Sequence, residues 1–397
     1  MEKTLKTNYL IILMLLISFG SIGAVSLTPA LPQITQYFSI SPQQAGSCIS
    51  LYLIGYTLGQ LFYGPLVNRF GSRTTIIIGA SIEIIGAVLC ILAEPLNSFN
   101  LLLIARIIMA IGAGSGLTLA LTISSKLSTA QDSGRNISLL TIAFAITPGI
   151  GVFAGGWLLT VANWTSSFYL MTAYGVMILL LGLQLPEVIS SRNPHALQIG
   201  KLISNYLAQL KFLPTICGGL LLGSATSIIY GFAALAPFIS INLMQITPSQ
   251  YGSYNLIPVI GMLLGSIISS YLGKSYSSHN ILKFGLFIVS IGAILALVLL
   301  NYLPKQALSL FMPTTIVYIG LPLVFANASS LTLTNAKDKS NASAMLSFIN
   351  LSTAVVVTLL LTLISIHSAL TIAILFVVFS IFAIIWFTLL NKALKLN

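Results

Sequence analysis

Twelve apolar stretches, each close to the length that crosses a bilayer and almost free of charge, constrain this chain more than any other feature. They fall near 9–30, 45–67, 74–93, 100–123, 136–160, 164–186, 213–241, 248–272, 281–303, 306–335, 341–365 and 368–391. A hydrocarbon layer of about 30 Å takes about 20 helical residues. Backbone polar groups inside it must be satisfied within the segment, so runs this long read as helices. The predicted fold class is therefore an all-α integral membrane protein of twelve spans. Composition agrees: 57% of the 397 residues are hydrophobic and 6% charged, where a soluble domain carries about 25% charge. A soluble enzyme, a nucleic-acid binder and a disordered chain are excluded, the net charge of +11 notwithstanding. Lys3 and Lys6 before an apolar run resemble a secretory signal, but the run is long enough to span and is expected to be retained.

Basic residues in short loops report orientation. Lys3, Lys6, Arg69, Arg73, Lys126, Arg135, Arg192, Lys201, Lys211, Lys274, Lys283, Lys337, Lys339, Lys392 and Lys395 fall on one side under this segmentation, fifteen of seventeen. Lys305 alone lies opposite, and Arg106 is inside a span. Both termini are thus expected in the cytoplasm, and the positive charge is a topology signal that needs no nucleic acid. The polar segment 187–212, with Pro194 and an amphipathic stretch (Leu197, Ile199, Leu202, Ile203, Tyr206, Leu207, Leu210), separates six spans from six. The expected organisation is a half at 1–186, a cytoplasmic linker at 187–212 and a half at 213–397. Paired six-helix halves are a common architecture of secondary transporters.

Chemistry-bearing residues are few. Cys48, Cys90 and Cys217 lie in apolar runs without redox or metal spacing, and His195, His279 and His367 are scattered. No metal cluster and no phosphate-binding Gly-rich loop is present, so neither a metal, an enzyme activity nor an on-board ATPase is expected. Of six acids, Glu2, Glu94, Asp132, Glu187 and Asp338 sit in tails or loops. Glu83 is the one carboxyl well inside a span. An ionisable group there needs a partner or a cavity and is a functional-site hypothesis by default. Arg106 and Glu83 are the candidates for proton or substrate coupling. The alternatives are structural: Arg106 satisfied by carbonyls, and Glu83 paired with Arg106 or packed as a neutral acid. Gln60, Tyr230, Asn255, Asn327 and Asn350 are further polar groups in spans, and most such residues make interhelical hydrogen bonds.

Three short runs carry a family resemblance. Gly64-Pro-Leu-Val-Asn68-Arg69-Phe-Gly71-Ser-Arg73, Leu103-Ile-Ala-Arg106 with Gly112, and Pro148-Gly-Ile-Gly151-Val-Phe-Ala-Gly155-Gly156 resemble signatures of the major facilitator superfamily. The likeness is greatest to the twelve-helix drug:proton antiporter branch near the Bcr/CflA group, and Pro29-Ala-Leu-Pro32 and Ala342-Ser-Ala344 agree with it. Gly64 and Gly71 suit a tight turn, and Arg69 and Arg73 suit a latch on carboxylates or helix ends or simple positive-inside anchors. Gly151 and Gly155, four apart, suit close helix packing, and Pro148 permits a bend. This chain has Asn68, Val152, Val25 and Ser125 where that group carries an acid, a Pro, an Asp and an acid.

The resemblance implies two rocking halves and Tyr230 and Asn327 as cavity lining. It further implies proton-coupled efflux of small amphipathic molecules across a bacterial inner membrane, with the proton gradient in place of any cofactor. Retention of Arg106 without a cavity acid predicts neutral or anionic substrates rather than cationic dyes. Export or uptake of an endogenous metabolite such as a carboxylate siderophore is the alternative. Expected partners are the substrate and the lipid bilayer, with no nucleic acid, and the chain is expected to be a monomer.

Overall fold

The computed structural model describes residues 6–128, 133–189, 196–198, 200, 204, 210–334, 339–364 and 368–396. Among them there is helix and no strand. The first six spans are built from α1 (Thr7–Val25), α2 (Leu31–Phe38), α3 (Pro42–Phe70), α4 (Ser72–Leu92), α5 (Phe99–Ala113), α6 (Ser115–Leu127), α7 (Ser133–Leu158) and α8 (Ser166–Gly182). The rest comprises α9 (Leu213–Pro237), α10 (Pro248–Tyr254), α11 (Leu256–Leu272), α12 (Ser278–Tyr302), α13 (Ala307–Thr334), α14 (Lys339–Leu361) and α15 (Leu370–Leu396). Eleven helical stretches among the described residues are long and apolar enough to cross a membrane, and α8 is a shorter apolar helix. All twelve expected spans therefore have a helical counterpart, most with ends within a few residues of those expected.

Four spans are interrupted, the first for a plain local reason. Pro29 has no N–H, so the Val25 carbonyl four residues back has no helical donor. There α1 stops, a 3₁₀ turn covers Thr28–Ala30, and α2 restarts with a Pro in its first turn. The first span thus reaches Phe38, beyond the expected end near residue 30. The fourth breaks at Gly114 between α5 and α6, the seventh passes from α9 into a π-helical turn at Phe238–Leu243, and the eighth breaks at Asn255 between α10 and α11. By contrast Pro65 and Pro148 sit inside α3 and α7 without ending them.

Two compact units divide the chain, residues 1–40 with 47–198, and 41–46 with 199–397. The amphipathic stretch expected in the linker lies largely outside the described residues. In the first unit α1 packs against α6, α7 and α8, while α4 packs against α5 and α8. Nearly the whole second half of α1 is buried, from Leu16 to Val25, the behaviour of a helix that is apolar all round. Its neighbours approach through missing side chains: a Cβ on Gly116 would meet the Leu16 carbonyl, and one on Gly155 the Ser26 carbonyl. In the second unit α9 is the buried centre, packed by α13, α14 and α15. There Gly218 faces Thr332, Gly219 faces Ile349 and Gly223 faces Thr353.

Substituting Gly116→Ala drives a methyl into α1 backbone and is expected to destabilise the protein by about 1–3 kcal/mol, the usual cost of overpacking. Gly64→Ala, at a helical position with nothing within 4 Å of the added carbon, is expected to stabilise by about 0.5–1 kcal/mol. Denaturant unfolding in detergent micelles checks the pair.

Candidate functional site: a buried guanidinium at the broken end of the first helix

Helix α5 is capped by Ser98, whose side chain accepts the Leu101 N–H at 3.2 Å. Two turns on, it delivers Arg106 into the centre of the first unit, at 0% exposure. A helix leaves its last four carbonyls without intrahelical partners, and its C-terminal end carries partial negative charge. The break after Val25 brings that end of α1 to Arg106. Nη1 donates to the Gly23 carbonyl at 2.8 Å and Nη2 to the Ala24 carbonyl at 3.3 Å, while Nε donates to the Cys48 carbonyl of α3 at 3.1 Å. The guanidinium lies 4.2 Å from the centroid of the Tyr52 ring, one turn beyond Cys48. Tyr52 in turn donates its hydroxyl to the Gly20 carbonyl at 3.0 Å, and Gly23 leaves the space that the Tyr52 hydroxyl occupies. The cation is thus held by carbonyl dipoles and an aromatic face, with no carboxylate among its partners.

The middle and the broken end of α1 collect polar contacts from α7 and α8. Tyr174 of α8 donates to the Leu15 carbonyl at 2.9 Å, Ser167 to the Ser26 carbonyl at 3.4 Å, and Ser21 meets Thr147 of α7 at 3.3 Å. Gly151 and Gly155 of the Pro148 run both face α1, at Ile22 and Ser26, and Gly156 beside them is buried.

Glu83 is elsewhere in the unit. Midway along α4 and at 0% exposure, it packs where α4 crosses α5 and α8: Gly112 lies against its backbone, and a Cβ on Gly175 would strike its carboxyl oxygen. Neither carboxyl oxygen has a hydrogen-bond partner. Of the alternatives for Glu83, pairing with Arg106 is not made: the guanidinium is engaged by the broken helix end and by Cys48. Glu83 is left as a lone acid in a seam of glycines.

The loop residues differ in part from the expected tight turn at Gly64 and Gly71. Helix α3 continues through Gly64, Pro65, Asn68 and Arg69 to Phe70, and the turn is Gly71 alone, at φ +90°. Gly64 is helical and plays no part in the reversal. Asn68 and Arg69 are exposed on the last turn of α3, and Arg69 stacks on Phe70 at 5.4 Å. Arg73 begins α4 and donates to the Leu185 carbonyl at 3.2 Å. In the second unit Asn327 donates to Ser269 of α11 at 3.2 Å and to the Leu323 carbonyl of its own helix at 2.8 Å, an interhelical tie. Tyr230 is buried on α9. No group of three or more metal-ligating side chains occurs among the described residues. Sequence reasoning missed Tyr52 and the α1 carbonyls; Pro29, just past the break, was their one signal.

The broken, centrally packed first helix and the two compact units define the class of multi-pass helical membrane proteins. The family model for the Major Facilitator Superfamily matches residues 11–352, and the chain belongs to that family. It is 26% identical over 277 residues to an uncharacterized transporter of Rickettsia bellii, covering 68% of this chain and 65% of that one. It is 20% identical over 263 residues to a bicyclomycin resistance protein homolog of Haemophilus influenzae, covering 66% and 65%. The matches thus span just under two thirds of the length of these relatives. The xylose transporter XylE from E. coli, in a partially occluded inward open conformation, superposes with a TM-score of 0.76 at 15% identity, over 97% of this chain and 98% of that one. That likeness is one of fold.

Replacing Arg106 with Met leaves buried carbonyls of α1 and α3 without their donor. Hydrogen bonds to a charged group contribute about 1.5–3 kcal/mol, so unfolding free energy in micelles is expected to fall by at least that amount. Arg106→Lys is expected to recover only part of it, since an ammonium lacks the flat fork that reaches three acceptors while lying on an aromatic ring. Wild-type stability in Arg106→Met would refute the clamp.

Proposed function

We propose that the chain is a proton-driven exporter of small amphipathic compounds, neutral or anionic and drug-like molecules among them. The setting we propose is a bacterial inner membrane with both termini in the cytoplasm. The observation that carries the proton part is Glu83. It is the one carboxyl inside the membrane spans, and it is enclosed with neither oxygen bonded. A charge buried without a partner is strongly unfavourable, so the enclosed state suits the protonated acid. Ionisation requires that the seam of α4, α5 and α8 admit water. Alternating access needs such a difference in ligand affinity between two states. The preference against cations rests on Arg106, whose full charge sits in the first unit with no carboxylate beside it. The drug-like class is supported by the relative named for bicyclomycin resistance. Export or uptake of an endogenous carboxylate, a siderophore for example, is the competing reading for the same cationic interior.

Reconstitution into proteoliposomes with an imposed pH gradient tests both parts, with bicyclomycin as neutral probe, citrate as carboxylate probe and ethidium as cationic probe. Gradient-driven movement of a neutral or anionic probe is expected, with ethidium excluded. In Glu83→Gln the response to the gradient is expected to fall at least about tenfold while downhill exchange persists, one decade being about 1.4 kcal/mol of lost coupling. Undiminished gradient-driven transport in that variant removes Glu83 from the mechanism, and robust ethidium transport overturns the charge preference.

A further inference from the structure

The turn between α3 and α4 has an acid of its own, and it comes from the far end of the sixth span. Helix α8 ends at Gly182, and five residues later Glu187 opens the segment that connects the two halves. Its Oε1 accepts the Ser72 N–H at 2.8 Å, the Ser72 hydroxyl at 2.8 Å and the Ile189 N–H at 3.1 Å, while Oε2 accepts the Arg73 N–H at 3.3 Å. Val188 N–H returns to the Ser72 hydroxyl at 3.3 Å, and the Arg73 guanidinium donates to the Leu185 carbonyl at 3.2 Å. The Ser72 and Arg73 N–H groups are orphan donors of the first turn of α4, which sequence-local caps normally satisfy. Here the preceding residue is Gly71, which has no side chain to cap with. A Cβ there would lie 2.9 Å from the Glu187 carboxyl carbon. So Gly71 serves twice, by its positive φ and by vacating the seat of the carboxylate.

The loop signature places its acid at the position of Asn68, and Asn68 here is an exposed, uncharged residue of α3. We infer that Glu187 is the acid of this latch: a positioning residue that closes the Gly71 turn by capping α4 and fixes the start of the connecting segment to it. The clasp joins three pieces of chain, the end of α3, the first turn of α4 and residues 185–189. Any opening of the turn therefore releases the segment between the halves at the same time. Partial burial opposes ionisation of Glu187, but the hydrogen bonds from Ser72, Ile189 and Arg73 outweigh it and hold the carboxyl below its ordinary value of 4.5. The charged residue beside it is Arg73, whose N–H reaches Oε2 and whose fork goes to Leu185; Arg69, on the last turn of α3, stacks on Phe70. A depressed pKa stabilises the clasp at pH above the ordinary carboxylate value, and that stability is lost as pH falls through the lowered one.

Hydrogen–deuterium exchange of the peptide covering the start of α4 tests this on the full-length protein in micelles, with no substrate needed. After correction for intrinsic rates, Glu187→Ala is expected to exchange the Ser72 and Arg73 amides at least about fivefold faster than wild type at pH 7, the scale of a lost helix cap. Glu187→Gln retains one acceptor for Ser72 and presents a donor to Arg73. It is expected to lie between the two and to lose the acid-dependent step that wild type shows below the usual carboxylate range. If Glu187→Ala does not fold, wild type against Glu187→Gln decides alone. Equal exchange in wild type and the folded variants, or an acid step in Glu187→Gln that copies wild type, overturns the inference.

Discussion

A guanidinium with no carboxylate is the interaction on which the first unit depends. Arg106 sits at 0% exposure and is held by carbonyls of Gly23, Ala24 and Cys48 and by the Tyr52 ring. Such a charge is tolerable inside a membrane span only when dipoles replace its hydration. The dipoles exist because Pro29 ends α1 early, and a helix end offers free carbonyls with partial negative charge. The break and the cation therefore require each other. Without Arg106 the broken end is an unsatisfied buried backbone; without the break the cation has too few partners.

The contacts around it follow from this choice. At the end of α1, α7 closes through Gly151 and Gly155 and α8 through Ser167, while Tyr174 ties α8 to the middle of α1. Glycines and hydroxyls do this work because lipid offers no hydrophobic drive for helices to associate, leaving close packing and hydrogen bonds. Glu83 then stands in a separate seam, with Gly175 and Gly112 against it. The separation has a functional consequence for the proposed mechanism. A carboxyl that is not neutralised by Arg106 is free to gain and lose a proton without dismantling the clamp.

The positions of the spans were legible in the sequence because bilayer thickness imposes a length and an apolar composition that few other folds require. The cost of a charge in a span made Arg106 and Glu83 legible for the same reason. Their partners were not. Backbone carbonyls carry no sequence letter, so the ligands of Arg106 were hidden, and the two opposite charges suggested a pair that the fold does not make. Glu187 was read as a loop residue because its partner, the first turn of α4, is 115 positions away in sequence. Gly64 was read as part of a turn, yet α3 runs through it; only Gly71 takes the positive φ that a single-residue reversal requires. The tie from the Asn327 amide on α13 to Ser269 of α11 was hidden too, because the two residues lie 58 positions apart.

The most direct test of the central claim is a double-mutant cycle between Arg106 and Tyr52, using Arg106→Met and Tyr52→Leu and unfolding free energies in micelles. Residues that act as one clamp couple by about 0.5–3 kcal/mol, whereas independent ones add to within about 0.3–0.5 kcal/mol. The account predicts coupling above about 1 kcal/mol, since removing either partner already dismantles the arrangement that the other serves. Additive losses would contradict it and leave Arg106 and Tyr52 as neighbours with separate roles.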